Sequence, residues 1–115
     1  MSDFRPSVAV RVGVLTVTLA PTSGVTRVDF DCVIDQTDLG DVVGIEVLDL
    51  EQQLAGGRAP VPPSDGFPGW SYDKEIDAFY VRVADGRGQV QKAGSGTAYL
   101  DQEGQLSVLE VRVML

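Results

Sequence analysis

The chain has no histidine, a single cysteine and a single tryptophan, and no apolar run approaching the ~20 residues of a bilayer-spanning helix. Without histidine the commonest general base, proton shuttle and neutral zinc ligand are missing, which removes most hydrolase readings. Cys32 has no second cysteine to bridge to, and no charged segment followed by an apolar stretch opens the sequence. A secreted, disulfide-built protein is therefore not expected; the expectation is a soluble protein of a reducing cytoplasm. Basic residues are also scarce. Nine lysines and arginines against seventeen acidic residues leave a net charge of −8, which repels phosphate backbones and anionic lipid, so neither nucleic acid nor membrane is an expected partner. The same excess keeps a protein soluble and attracts a basic protein surface.

Valine, threonine and isoleucine dominate the apolar stretches, and they recur at period two, the pattern of half-buried strands. Val8, Val10 and Val12 alternate, then Leu15, Val17 and Leu19 alternate in the opposite phase, which predicts a bulge or bend at Gly13. A turn cluster from Pro21 to Gly24 precedes a strand with Val28, Phe30, Cys32 and Ile34 on one face. A hairpin connection from Asp35 to Asp41 leads to a strand carrying Val43, Ile45 and Val47. In "DLEQQLAGG" Asp49 is the expected N-cap of one short helix that ends at glycine. Residues 55–70 hold four of the chain's six prolines and are expected to form a loop. Beyond it Phe79, Val81 and Val83 share a face, as do Leu109, Val111, Val113 and Leu115.

The second half echoes the first. A shift of 64 places Leu15, Val17 and Leu19 on Phe79, Val81 and Val83, and Gly40, Ile45, Glu46 and Val47 on Gly104, Leu109, Glu110 and Val111. Pairing Ile34 and Asp35 with Leu100 and Asp101 makes the first hairpin about two residues longer than the second. The expected architecture is one mostly β domain over 1–115, built from repeats at about 8–54 and 71–115 and joined by the loop 55–70. The repeats are two related antiparallel β-meanders packed as a sandwich or a barrel-like pseudo-twofold pair, with one short helix.

The segment "YDKEIDAFYVRVADG" followed by "LDQEGQLSVLEVRV" resembles the small bacterial family known as domain of unknown function 2283 (DUF2283), and "VIDQTDLGDVVGIEVLDL" resembles its closing hairpin. The first copy lacks the tyrosine–aspartate opening. The resemblance implies two tandem divergent copies and, through members that look like the antitoxin half of a two-gene toxin module, a protein partner.

Candidate chemistry is sparse. Cys32, in phase with apolar neighbours and without a histidine, is expected to be a buried and inert thiol. "DQTDLGD" and "DQEG" carry carboxylates beside glycine, but their spacing fits turns and not a calcium loop. "ADGRGQ" and "AGSGT" lack the lysine and helix start of a phosphate-binding loop. Tyr72, Asp73, Glu75 and Asp77 form an acidic cluster near Tyr80, and Phe67 with Trp70 stands in the proline-rich loop; these seven are the candidate binding residues. No catalytic residue, metal or cofactor is assigned. The expected function is a non-enzymatic acidic binding protein for a basic protein surface, such as an antitoxin-like neutraliser or accessory subunit. A small-molecule binder or cofactor-free enzyme with a cavity between two sheets is the alternative, and a homo-oligomer stays open.

Overall fold

The computed structural model describes residues 4–21, 26–60 and 66–113. Eight strands and one helix follow in the order β1 (Ser7–Arg11), β2 (Val14–Thr18), β3 (Thr26–Gln36), β4 (Val42–Leu48), α1 (Leu50–Gln53), β5 (Gly69–Asp73), β6 (Ala78–Arg82), β7 (Val90–Leu100) and β8 (Leu106–Arg112). The fold is mostly β with one short helix, as the period-two pattern predicts. Most of the predicted turn at Pro21 to Gly24, the middle of the 55–70 loop and Leu115 lie outside the described residues.

The architecture corrects the expectation of two meanders facing each other. All eight strands belong to one antiparallel sheet, in the order β1-β2-β8-β7-β3-β4-β6-β5, which curls into a half-barrel. Neither β2 nor β6 pairs with the strand that follows it; β2 pairs with β8 and β6 with β4. The long ribbon β3·β7, from Thr26↔Leu100 to Gln36↔Val90, forms the middle of the sheet. Its concave face carries Leu15, Val17, Phe30, Ile34, Ile45, Val47, Phe79, Val81, Leu109 and Val111, all buried in one cluster that Leu50 and Leu54 join. Among the described residues the strands form this single sheet, and these side chains pack together on its concave face.

Three local expectations also change. The phase slip at Gly13 is a hairpin between β1 and β2, not a bulge in one strand: Val12 and Gly13 both have positive φ, at 45° and 78°, as a two-residue turn matched to strand twist requires. The β3–β4 and β7–β8 connections are equally long, 37–41 and 101–105. Each closes alike: Gly40 N–H donates to Thr37 O at 3.0 Å, and Gly104 N–H to Asp101 O at 3.1 Å. The predicted loop 55–70 ends early, because β5 begins at Gly69.

Tight curling needs small residues where strands close up. On β7, Gly94 and Gly96 lie opposite Cys32 and Phe30. A Cβ at Gly94 would stand 2.5 Å from Ile34 Cδ1, and one at Gly96 would stand 3.1 Å from Phe30 Cε1. Large side chains on β3 thus cover the bare backbone of β7, which lets the sheet bend without leaving a void.

Candidate functional site

β3 and β4 pair only over Val33–Gln36 and Val42–Glu46, and the strands then part. β4 runs on to Leu48 beside β6, and Asp49, at φ 53°, turns the chain into α1. The helix lies on the edge of β3 that β4 has vacated. There the Gln53 side chain acts as a piece of strand: Asp31 N–H donates to Gln53 Oε1 at 2.6 Å, and Gln53 Nε2 donates to Asp31 O at 3.0 Å and Leu48 O at 2.7 Å. These bonds satisfy backbone groups that would otherwise face an open gap.

The gap is a groove of about 540 Å³ on the convex side, with the carboxylates of Asp31, Glu46 and Asp49 and the amides of Gln52 and Gln53 around it. Among the described residues the one ion pair is Arg82–Asp85 at 3.8 Å, so these three carboxylates have no basic partner there. Cys32 also borders the groove, yet its side chain is buried; burial, with the nearby Asp31 charge second, pushes its thiol up to about 11. A thiol held protonated is a poor nucleophile. The groove therefore offers hydrogen-bond acceptors and negative charge.

A second polar pair lies nearby on the same face. Tyr80 Oη donates to Asp35 Oδ2 at 3.2 Å, while Asp35 Oδ1 is buried and finds no hydrogen-bond partner among the described residues. Backbone alone fits around this pair: a Cβ on Gly88 would lie 2.7 Å from Asp35 Cγ, and one on Gly44 would collide with the Tyr80 hydroxyl. Burial first, and Asp35 second, raise the Tyr80 pKa above its ordinary value.

The seven candidate binding residues do not converge. Trp70 is a core residue on the concave face, opposite Val81, rather than an exposed anchor. Phe67 is 53 % exposed, with the Arg82 guanidinium 5.9 Å from its ring centre. Tyr72, two residues after Trp70, donates its hydroxyl to Asp77 Oδ1 at 2.5 Å. That bond leads the causes that raise the Tyr72 pKa. Asp73 accepts the Glu75 N–H at 3.0 Å in the exposed β5–β6 turn, and Tyr80 lies on the convex side with Asp35.

Asp77 has a structural duty. Its two carboxylate oxygens each accept the Glu51 N–H at 3.1 Å at the start of α1, and Asp49 makes no side-chain cap bond. The expected cap at Asp49 is thus replaced by one from the β5–β6 turn. Sequence reasoning missed the groove residues Asp31, Glu46, Asp49 and Gln53. Alternation with Phe30 and Cys32 already puts Asp29 and Asp31 on the opposite face, but nothing local reveals that α1 returns to that strand. The chain matches no family model, no curated protein and no solved structure.

Proposed function

We propose that this chain is a non-enzymatic recognition protein that binds a basic surface of another protein at the groove between β3, β4 and α1, as an antitoxin-like neutraliser or an accessory subunit does. One observation carries the reading: Asp31, Glu46 and Asp49 surround a groove, and none of the three forms an ion pair among the described residues. The net charge of −8 supports it, because long-range attraction speeds the encounter with a cationic partner.

The test begins with the protein that copurifies from the native host, and measures its association and dissociation rates against salt. The triple variant Asp31→Asn, Glu46→Gln, Asp49→Asn should slow association about tenfold and flatten its salt dependence, with dissociation changed less. Salt-insensitive association, or a tightly bound small molecule in place of a protein, would overturn the proposal.

We also infer that the chain is a duplicated unit whose two copies exchange strands. Adding 64 to the bounds of β2, β3 and β4 (14–18, 26–36, 42–48) gives those of β6, β7 and β8 (78–82, 90–100, 106–112). The pairings support the same reading: Leu15↔Val111 becomes Phe79↔Val47, and Asp31↔Ser95 maps onto itself. An experimental structure in which 26–48 superposes on 90–112 no better than unrelated strand pairs do would remove this reading.

A further inference from the structure

One end of the half-barrel is closed by the chain itself. Arg58 N–H donates to Gly104 O at 2.9 Å, and Leu106 N–H donates back to Arg58 O at 2.8 Å, which makes a one-residue parallel bridge at Gln105. The Arg58 guanidinium donates to the carbonyl of Glu103 at 2.9 Å, Ala59 packs on the core and Pro60 is buried. An extended Arg-Ala-Pro segment therefore plugs the space between the β7–β8 turn and β5.

Subtracting 64 carries Gly104, Gln105 and Leu106 to Gly40, Asp41 and Val42, in a turn with the same closure and a glycine of the same positive φ, 93° against 80°. The flanking strand corresponds too: Val10 lies opposite Leu15 on β1 as Tyr72 lies opposite Phe79 on β5. Here no described segment enters. Val8, Val10, Gly40, Asp41, Val42 and Val83 are among the residues around an open cavity of about 310 Å³, mostly apolar; Val10 is 57 % exposed, and Leu39, the residue before Gly40, is 87 % exposed.

We infer that this slot, which no described residue fills, is a docking site for an extended Arg-small-Pro segment of a partner protein, seated as the chain seats its own residues 58–60. The inference rests on the duplication reading, which supplies the correspondence between the two ends. Gly40 O accepts Gln36 Nε2 at 3.2 Å and keeps a second lone pair for a peptide N–H, as Gly104 O serves Arg58. An arginine in the slot has the Leu39 carbonyl where Arg58 uses that of Glu103. Its stem covers exposed Leu39, and the Asp41 carboxylate adds the charge that Gln105 lacks. Backbone pairing beside an open strand end with one or two side-chain pockets is a recurrent mode of peptide recognition.

The probe is a capped hexapeptide copying residues 57–62, Gly-Arg-Ala-Pro-Val-Pro, titrated into the isotopically labelled full chain. Saturable amide shifts are expected at Val8, Val10, Gly40, Asp41 and Val42. Replacing arginine by glutamate in the peptide should weaken binding at least tenfold. Asp41→Lys should do the same, and because the Asp41 side chain makes no bond among the described residues, its spectrum should stay that of the folded protein. Val10→Asp is the second variant, expected to abolish the shifts. Absence of shifts at these amides, binding indifferent to both variants, or a slot already filled in the free protein by its own residues or by a second copy would overturn the proposal. Loss of peptide binding with superposable halves would reject the docking site alone, whereas halves that do not superpose would reject the duplication.

Discussion

The Tyr72 hydroxyl and the Asp77 carboxylate, joined at 2.5 Å, tie the β5–β6 hairpin to the first turn of α1, because the same carboxylate accepts the Glu51 N–H. Asp77→Ala should cost about 1–3 kcal/mol, through loss of a helix cap and of a tyrosine's partner. Asp77 has φ 53°, so Asp77→Gly should cost about 1 kcal/mol less than Asp77→Ala even though it removes the same carboxylate. Urea denaturation of the two variants checks the order, and equal losses would show that backbone strain is not involved.

Cys32 makes a prediction about pH. Its folded thiol, at about 11, holds its proton more tightly than an ordinary thiol at 9.0. The stability this contributes is fully present below pH 9 and is lost as pH rises toward 11. Comparison with Cys32→Ala, which lacks that loss, isolates it from the tyrosines. At neutral pH, labelling of the folded thiol should be about 100-fold slower than in the unfolded chain from thiolate fraction alone. Equal rates would contradict the burial.

Gly44→Ala should cost about 1–3 kcal/mol, because the new methyl group takes the place of the Tyr80 ring and hydroxyl. The loss should shrink when Tyr80 is already alanine, so a double-mutant cycle should show clear non-additivity. Additive losses would mean that the two residues do not meet.

Trp70→Ala removes a core side chain beside Val81 and should cost about 3–5 kcal/mol. The melting temperature should fall sharply. If the variant instead keeps its stability and loses only partner binding, Trp70 is an anchor after all.

Most of the strands were legible from period-two alternation, since Val43, Ile45 and Val47, or Phe30, Cys32 and Ile34, can share a face in no other regular element. Strand neighbours were not. Alternation specifies which side chains are buried but not which strand lies alongside, so the pairing of β2 with β8 and β4 with β6 left no local trace. A two-residue hairpin and a bulge both shift the phase by one, which is why the turn at Val12 and Gly13 resembled a bend within one strand. The cap on α1 was hidden for a related reason: Asp77 is 26 residues from the N–H it accepts.

The amide of Gln53 has a further consequence for the molecule in a crowded solution. By answering the Asp31 peptide in both directions, it ends hydrogen-bonding capacity midway along an eleven-residue strand, where a stranger's backbone would otherwise find a template. A four-residue helix thereby covers part of an edge that a strand would otherwise occupy, and a single side chain makes the bonds.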